Sequence, residues 1–460
     1  MKKLWISILL VLVCIFLSIF FINFFKGKKI LVLTGGTLID GTGKSPLTNS
    51  VIVIEKNKIK AISEEGKYRP PMFAKTIDIR GKFIIPGLID MHVHYTDEAF
   101  SDLFLLNGVT SVRDMGNDPE FILSLRDKIN AGIVQGPTIF ASSFIINNRK
   151  IPFGASEYTI VARNPKEAKK IVSDLAKKNV DWIKIYITLP EEMVRTIIKE
   201  AEKNKIPVAG HLRRVNARIA AQLGIRTLEH ATGIAEALLG EEKFEDAPFL
   251  WTISDKTWLH VDKEKYYDLI DLFIRKNIYI VANLTLYQSF VSDGEELKNN
   301  PNAKLMSKSI QDGWKRYISS RFLDVTRDKE NWRVTKQRLE EFLLLFKERG
   351  GKILTGTDTP WPFLVPGFSL HKELKLLVKA GLSPLEALMS ATKYSAEALN
   401  QEQNLGTIEE GKIADLLILN EDPLEDISHT QNIELIIKSG KIINRKELYL
   451  SIIEKQKKEE

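Results

Sequence analysis

The stretch that decides the fold is Phe83–Tyr95, FIIPGLIDMHVHY. It begins as an apolar run that suits a buried strand, and the run ends in Asp90-Met91-His92-Val93-His94. Side chains alternate between the two faces of a strand, so His92 and His94 point to the same side. Two imidazoles at the C-terminal end of a strand are a good beginning for a metal site, although such a pair also occurs by chance.

Seven further strand-like runs follow, and they alternate with runs that favour helices. This alternation is typical of parallel βα units. The eight predicted strands are Ile84–His92, Val109–Asp114, Thr138–Ala141, Trp182–Ile187, Pro207–His211, Arg226–His230, Ile278–Thr285 and Lys352–Asp358. The predicted helices include Pro165–Lys178, Pro190–Lys203, Asn216–Leu223, Leu370–Lys379 and Pro384–Leu399. We therefore expect an α/β fold of the (β/α)8 TIM-barrel type, in which active-site residues lie at the C-terminal ends of the strands.

Short β-like pieces near both ends of the chain, within residues 29–80 and 414–443, flank this barrel. Each set is too thin to bury a core alone, so the simplest arrangement is one small β-sandwich domain built from both chain ends. The predicted division is an N-terminal segment at 1–28, the first sandwich segment at 29–82, the barrel at 83–402 and the second sandwich segment at 403–460. Two long stretches, Ala231–Asn277 and Leu286–Arg349, suit either lids or helical insertions.

The N-terminal segment contains an uncharged run of 22 residues, Leu4–Phe25. About 20 apolar residues can span a bilayer as a helix. A cleavable signal peptide has a shorter apolar core, roughly 7–15 residues, followed by small residues that are missing here. We therefore expect a single-pass transmembrane helix that anchors the chain in the membrane, with the body outside the cytoplasm. Secretion or periplasmic release after signal cleavage is the alternative.

Charge and cysteine content exclude some classes of protein. Five lysines beside the apolar run account for most of the net charge of +7, and subtracting them leaves +2, so no nucleic-acid-binding surface is expected. The sole cysteine, Cys14, lies inside the apolar run. A disulfide framework and a cysteine zinc site are therefore excluded.

The strand Trp182–Ile187, WIKIYI, carries an unusual lysine. Its three isoleucines face the surrounding helices, so Lys184 faces the interior of the barrel. A buried ammonium group is unfavourable unless it is paired or neutralised. One solution is a salt bridge to a carboxylate. The other is a carbamate formed with carbon dioxide, whose two oxygens can bridge two metal ions, and the surrounding histidines favour this second solution.

His211, His230 and Asp358 each close a predicted strand. Taken singly, such a histidine is often a hydrogen-bonded structural residue, and such an aspartate can cap the next turn. Six residues of this kind at strand ends are hard to explain separately, and imidazoles and carboxylates suit zinc and similar divalent ions. The candidate metal ligands are His92, His94, Lys184, His211, His230 and Asp358.

These residues, together with PGLIDMHVH, TGTDTP and the ending Gly406–Leu416, resemble the metal-dependent amidohydrolase superfamily. The resemblance is to the branch that contains imidazolonepropionase-like proteins and barrel-type Xaa-Pro dipeptidases. It implies a (β/α)8 barrel beside a β-sandwich formed by both chain ends. It also implies a role for each candidate ligand: His92, His94 and Asp358 on a first metal, His211 and His230 on a second, and Lys184, as a carboxylated lysine, bridging both.

The function that the resemblance implies is hydrolysis of a C–N bond in an amide, peptide or lactam, assisted by two divalent ions, with zinc expected. Asp358 would be both a metal ligand and the proton shuttle. A small molecule or a dipeptide is the expected substrate, and a dipeptidase of the prolidase type is one option. However, Ser142–Arg149 replaces the glycine-rich, histidine-containing loop that prolidase-like relatives often carry.

Two arginines bear on the choice of reaction. Related deaminases commonly have a glutamate where this chain has Arg214, which argues against deamination. Arg213 or Arg214 could bind a substrate carboxylate, or both could be solvated. A mononuclear deaminase, an imidazolonepropionase-like cyclic amide hydrolase and a non-catalytic binding protein remain alternatives, and assembly as a homo-oligomer stays open.

Overall fold

The computed structural model describes residues 30–71, 74–150, 157–239, 257–292, 300–317 and 328–459. Its strands are β1 (Ile30–Leu38), β2 (Leu47–Glu55), β3 (Lys58–Glu64), β4 (Lys75–Asp78), β5 (Phe83–Pro86), β6 (Leu88–Val93), β7 (Val109–Asp114), β8 (Thr138–Ala141), β9 (Ile145–Asn147), β10 (Thr159–Val161), β11 (Ile183–Ile185), β12 (Val208–Gly210), β13 (Thr227–Glu229), β14 (Tyr279–Val281), β15 (Lys352–Leu354), β16 (Leu416–Leu419), β17 (Ile433–Lys438) and β18 (Lys441–Ile443). Its α-helices are α1 (Phe100–Leu106), α2 (Pro119–Asn130), α3 (Pro165–Lys177), α4 (Glu191–Lys203), α5 (Ala217–Leu223), α6 (Ile234–Leu239), α7 (Tyr266–Arg275), α8 (Leu284–Val291), α9 (Lys308–Tyr317), α10 (Lys329–Glu348), α11 (Phe368–Lys379), α12 (Pro384–Ser390), α13 (Lys393–Ala398) and α14 (Arg445–Glu459).

Strands from both ends of the chain form one sheet. Its order is β18-β17-β16-β5-β1-β2-β3, and β4 pairs with β1 in parallel. The two ends join through the antiparallel pairing of β16 with β5, in which Leu417 lies opposite Ile85. Alternate apolar residues such as Leu33, Ile52 and Ile418 form a buried cluster. The exact boundaries of a separate sandwich domain stay a prediction.

The remaining strands run parallel in two sheets whose edges are joined by hydrogen bonds. One sheet has the order β6-β7-β8, and the other has the order β10-β9-β11-β12-β13-β14-β15. Directly before β11, the amides of Asp181 and Trp182 donate to the carbonyl of Ala141 in β8 at 2.9 and 3.2 Å. At the opposite edges, the amide of His94 donates to the carbonyl of Thr359 at 2.7 Å. These bonds connect the strands around a ring with helices in the connections, and the α/β class is confirmed.

An apolar cluster fills the inside of this ring. It includes Trp182 directly before β11, Tyr279 and Val281 from β14, and Leu354 from β15. Their places show which face of each strand points inward, because residues two apart share a face. The polar candidates follow these residues toward the C-terminal ends of the same strands.

The first predicted strand, Ile84–His92, requires a correction because it is two strands. β5 belongs to the sheet of the chain ends, and β6 belongs to the ring. The chain passes from one sheet to the other at Gly87, whose amide donates to the carbonyl of Asp415 at 2.8 Å. A Cβ atom at Gly87 would lie 2.2 Å from Thr110 Oγ1, so only glycine fits this passage.

The helix α3 shows why the sequence forms helices around the ring. Asn164 caps its N-terminus, and Pro165 occupies the first turn, where a missing N–H group does no harm. Ala168, Val172 and Leu175 are buried, and their spacing places them on one face. The predicted helix bounds at 165–178 therefore agree closely with the structure.

The predicted helix Pro384–Leu399 also needs correction, because the structure has α12 and α13 there. The Thr392 hydroxyl donates to the carbonyl of Leu388 at 2.6 Å, and the Ser395 hydroxyl donates to the carbonyl of Ser390 at 2.6 Å. Such side-chain bonds to the backbone compete with helical bonds and favour a break.

The two long stretches contribute aromatic residues to the core. Trp258, Tyr266, Trp314 and Trp332 are buried in the main apolar cluster. Trp258 and Tyr266 pack edge-on, with ring centroids 6.5 Å apart. In the described parts these aromatic residues therefore pack as helical insertions do. Trp251 lies outside the described residues.

The predicted membrane-anchored localisation requires a correction. Within the described residues, none of the helices combines the length and the apolar character needed to cross a membrane. The run on which the prediction depended, Leu4–Phe25, lies outside those residues. The single-pass anchor and the extracytoplasmic placement derived from it are therefore not supported.

Candidate metal centre

Three of the predicted ligands meet where the first and last strands of the ring adjoin. The amide of Asp358 donates to the carbonyl of His92 at 2.8 Å, which brings the end of β6 against the segment after β15. Asp358 Oδ1 lies 3.2 Å from His94 Nε2 and 3.4 Å from His92 Nε2. The three residues offer ligand atoms that all lie within 4.8 Å of one another. This group, called the first cluster below, could hold one divalent ion.

Hydrogen bonds on the Nδ1 atoms orient both imidazoles of the first cluster. His92 Nδ1 lies 2.6 Å from Glu229 Oε2, and His94 Nδ1 lies 3.1 Å from the carbonyl oxygen of Gly116. Carboxylate and carbonyl oxygens accept, so Nδ1 donates in each ring and Nε2 lies on the side of Asp358. Histidines that bind metals usually have such a partner on the other ring nitrogen.

Glu229 and Arg113 form a buried ion pair that the sequence analysis missed. Arg113 Nη2 donates to both oxygens of Glu229 at 2.8 and 2.9 Å, and its Nε donates to the carbonyl of Met91 at 2.7 Å. Burial alone would raise the pKa of Glu229, but Arg113 and Lys184 hold it below its ordinary value. A signal was present, because an arginine on a buried strand needs a carboxylate partner.

The other three predicted ligands form the second cluster: Lys184 lies within β11, and His211 and His230 directly follow β12 and β13. The ring centroids of His211 and His230 are 4.8 Å apart, and the ring of His230 is 4.4 Å from that of His92. Lys184 Nζ and His230 Nδ1 are buried, and neither has a hydrogen-bond partner among the described residues. The second cluster thus adjoins the first and keeps polar atoms available for a ligand.

Burial controls the protonation of these groups. It holds the pKa of His92, His211 and His230 well below the ordinary value, and the nearby Lys184 lowers each further. Burial also lowers the pKa of Lys184 to about 8. Neutral imidazoles are the form that binds metal ions, so the donor set has the right chemistry for a metal centre.

Asp90 braces the segment that carries Asp358. Its carboxylate accepts hydrogen bonds from Thr357 Oγ1 at 2.7 Å and from the Thr357 amide at 3.1 Å. Burial raises the pKa of Asp90 to about 7. Asp358 has a left-handed backbone with a φ of 61°, which aspartate adopts more readily than most residues. Together these features hold the Asp358 carboxylate at the level of the histidines.

The two predicted substrate-binding arginines lie in different surroundings. Arg213 follows β12 and is buried, and burial lowers its pKa. Arg214 is exposed, and its Nη1 lies 3.5 Å from the carbonyl oxygen of Thr188. Of the two, Arg213 is the buried one, with the Glu236 carboxyl as a nearby opposite charge, and its role in substrate binding stays a prediction.

Asp114 and His371 carry chemically capable side chains but are structural. Asp114 accepts hydrogen bonds from two nearby backbone amides at 2.8 and 3.2 Å. His371 Nδ1 lies 2.9 Å from Thr430 Oγ1, and its Nε2 lies 3.0 Å from the carbonyl oxygen of Asn107. Both side chains are engaged in holding neighbouring segments together.

A family comparison agrees with this geometry. The model of the amidohydrolase family matches residues 83–443 of the chain. The chain therefore belongs to the amidohydrolase family and is a hydrolytic enzyme that acts on amide bonds.

Individual relatives share this fold. Ochratoxinase from Aspergillus niger is 22% identical over 90% of this chain and 86% of its own length. A Xaa-Pro dipeptidase solved with methionine in its active site has a TM-score of 0.69 at 24% identity, over 90% of this chain and 100% of that one. A prolidase solved with N-methylphosphonate-L-proline has a TM-score of 0.67 at 23% identity, over 91% and 100%. At these identities the likeness shows the fold alone.

Proposed function

We propose that the protein is a binuclear metal-dependent hydrolase that cleaves a C–N bond in an amide, peptide or lactam, built on a (β/α)8 barrel. The observation that carries this proposal is the position of Lys184. Its buried Nζ atom, for which the described residues supply no hydrogen-bond partner, lies beside histidines of both clusters. An ammonium group in that place is unfavourable, whereas a carbamate anion would suit two cations.

The donor atoms fit a pair of divalent ions. In the first cluster, His92 and His94 direct Nε2 toward Asp358 and use Nδ1 for protein acceptors. In the second cluster, His211 and His230 have their ring centroids 4.8 Å apart. We assign the first ion to the first cluster, the second ion to these two histidines, and the bridging position to a carboxylated Lys184. Zinc is the expected metal because the donors are imidazoles and carboxylates.

The residues of the chain would divide the chemistry among them. When bound, a pair of divalent ions lowers the pKa of water and polarises the scissile carbonyl group. The Asp358 carboxylate accepts the proton of the attacking water and delivers it to the departing amine nitrogen. Glu229 keeps the His92 ring in the required tautomer, and Arg113 keeps Glu229 ionised.

The proposed substrate carries a free carboxylate. Arg213 is a buried guanidinium group on the segment directly after β12, three residues beyond the end of that strand and two beyond His211. A guanidinium group matches a carboxylate with two parallel hydrogen bonds. We therefore propose dipeptides and N-acyl amino acids as substrates in preference to uncharged amides.

Hydrolysis assays with zinc-loaded protein test the proposed function. The substrates are a panel of Xaa-Pro and other dipeptides, N-acyl-L-amino acids and one lactam, and the readout is the newly formed free amino group. We expect amino acid release from at least one carboxylated substrate. No release from any member of the panel by protein that holds two zinc ions would contradict the proposal, and release of ammonia alone would favour a deaminase.

The two neighbouring arginines provide a matched pair for the substrate carboxylate. Arg213→Gln should raise KM for a carboxylated substrate by roughly 10-fold to 100-fold, because a charge-assisted pair is lost. Arg214→Gln is the control, since Arg214 is exposed, and its KM should match the wild-type value. Equal KM values for the two variants would show that Arg213 does not bind the substrate carboxylate.

A further inference from the structure

Asn283 is a buried amide that the proposed mechanism leaves unused. It lies between β14 and α8, at the C-terminal end of the seventh strand of the ring. Its side chain is fully buried, and within the described ranges neither Oδ1 nor Nδ2 has a hydrogen-bond partner. A buried amide without partners is strongly unfavourable, and folded proteins usually complete such a group with water or a ligand.

The Asn283 amide faces the inside of the ring beside the first cluster. Asn283 lies beyond the end of β14, two residues after Val281 of the interior apolar cluster, and its neighbours show where its amide lies. A Cβ atom on Gly356 would lie 3.1 Å from Asn283 Nδ2 and 2.9 Å from His92 Cβ. Because Gly356 has no side chain, the amide nitrogen and His92 border the same small space.

Capping of the following helix does not account for the Asn283 side chain. An asparagine before a helix usually accepts a hydrogen bond from the first amides of that helix, but within the described chain Asn283 forms no such bond. Glu373 from α11 takes this role: its oxygens accept from the amides of Leu284 and Thr285 at 2.9 and 2.7 Å. The cap is therefore supplied by another residue, and the Asn283 amide is left for a different purpose.

The backbone relates Asn283 to the candidate ligands on the adjacent strands. His230, Asn283 and Asp358 follow the sixth, seventh and eighth strands of the ring, with φ values of 55°, 49° and 61°. This left-handed conformation is uncommon for residues other than glycine, and it turns the chain sharply at each strand end. The seventh strand thus presents an amide where its neighbours present an imidazole and a carboxylate.

We propose that Asn283 is a substrate-binding residue whose Nδ2 group donates a hydrogen bond to the oxygen of the scissile carbonyl group. The amide is neutral, so it does not add charge to the donor set of the first cluster. Its N–H groups stabilise an oxygen that gains negative charge as water adds to the carbonyl carbon. This inference rests on the proposed function, since it requires amide hydrolysis at the first cluster.

Two substitutions at Asn283 test this role. Asn283→Asp keeps the shape of the side chain but replaces its N–H donors with a carboxylate, and Asn283→Gly removes the side chain without adding charge; both residues tolerate a left-handed backbone. Asn277 is the matched control because it has a φ of 52°, is exposed and lies before β14, at the opposite end of the same strand. Asn277→Asp and Asn277→Gly repeat the same changes away from the site.

The measurements separate substrate binding from transition-state stabilisation. Each zinc-loaded variant is assayed for kcat and KM with a dipeptide or N-acyl amino acid that the wild-type protein hydrolyses. Calorimetry then measures binding of the methylphosphonamidate of the same amino acid, which is tetrahedral at phosphorus. We expect both Asn283 variants to lose on the order of 10²-fold in kcat and in affinity for the phosphonamidate, with a much smaller change in KM.

The zinc content of the Asn283 variants should equal that of the wild-type protein. Both Asn277 variants should match the wild-type protein in every one of these assays. Asn283 variants with wild-type kcat and phosphonamidate affinity would overturn the proposal while the proposed function stands. A loss of thermal stability alone would also overturn it, because a structural role predicts that result. If the wild-type protein neither hydrolyses a substrate nor binds the phosphonamidate, the proposed function fails, and the role of Asn283 fails with it.

Discussion

The two clusters of candidate ligands lie next to each other, but the protein holds them in different ways. In the first cluster, each imidazole has a protein acceptor on Nδ1, and Asp358 Oδ1 lies within 3.4 Å of both Nε2 atoms. In the second cluster, Lys184 Nζ and His230 Nδ1 are without hydrogen-bond partners in the part of the chain that the structure describes.

This difference indicates which half of the centre the polypeptide completes by itself. The first cluster is already oriented by protein contacts, so one ion could bind there with little rearrangement. The second cluster contains buried polar atoms without hydrogen-bond partners among the described residues, and water or further bound groups would complete them. We therefore expect modification of Lys184 and binding of a second ion to stabilise the second cluster most.

The largest effect on activity should follow from Asp358→Asn, which removes the carboxylate from the first cluster. We expect kcat to fall by roughly 10³-fold or more, because the proton shuttle is lost. The melting temperature should change little, since asparagine tolerates the left-handed backbone at this position. Steady-state kinetics and thermal unfolding provide the two readouts. A kcat within tenfold of wild type would show that Asp358 does not transfer the proton.

Lys184→Met should affect the second cluster and leave the first cluster intact. We expect bound zinc to fall from two ions per chain to one. In metal-free protein the melting temperature should rise by roughly 2 °C, because an apolar side chain replaces a buried ammonium group that has no hydrogen-bond partner among the described residues. Elemental analysis and calorimetry measure these changes.

Lys352→Met is the control for this lysine, since Lys352 Nζ pairs with Glu397 Oε2 at 2.6 Å near the opposite end of a strand. It should keep two zinc ions and show no gain in stability. Full zinc content in Lys184→Met would exclude the bridging role.

His371→Asn compares a structural histidine with the histidines of the clusters. Loss of the contacts to Thr430 and Asn107 should lower the free energy of unfolding by about 2 kcal/mol, with zinc content unchanged. Burial lowers the pKa of His371 to about 4, so the folded state binds fewer protons than the unfolded state. Wild-type stability should therefore fall as the pH drops from 6.5 to 4, and the variant should show less of this fall in denaturant titrations.

Glu373→Gln should give the smallest effect. It tests the Glu373 carboxyl group, which accepts hydrogen bonds from the amides of Leu284 and Thr285 after the seventh strand. Burial, with a smaller contribution from Asp90, raises the pKa of Glu373 to about 7. The folded state therefore binds more protons than the unfolded state, and this contribution to stability is lost as the pH rises from 4.5 through 7. Thermal unfolding between pH 5 and pH 8 should show a weaker dependence in the variant. An unchanged dependence would mean that Glu373 is ionised throughout this range.

Much of the fold could be predicted because its signals are local. Each predicted strand of the ring contains a strand of the structure, since a parallel strand buried on both faces is a continuous apolar run. The break at Gly87 was missed because it depends on the distant Thr110, whose hydroxyl leaves no room for a side chain. Contacts between segments far apart in the chain are not visible in a local pattern.

In the site, too, local features could be predicted and contacts between distant segments could not. Five of the six candidate ligands were found because they lie at or just beyond the end of a predicted strand, where barrel chemistry is expected, and Lys184 was found because alternation turns it toward the interior. Glu229 and Arg113 were missed because their pairing depends on how two strands face each other across the ring. Asn283 lies inside the predicted strand Ile278–Thr285, and only the structure shows that the strand ends at Val281 and that the carboxylate of Glu373 caps the helix that follows.

The central claim, that both clusters hold metal around a modified lysine, is tested most directly by a crystal structure of the zinc-loaded protein with anomalous data at the zinc edge. The account predicts two anomalous peaks, one bounded by the first cluster and one by His211 and His230, with electron density for a carbamate beyond Lys184 Nζ. A single peak, or lysine density that ends at Nζ and points away from both clusters, would contradict it.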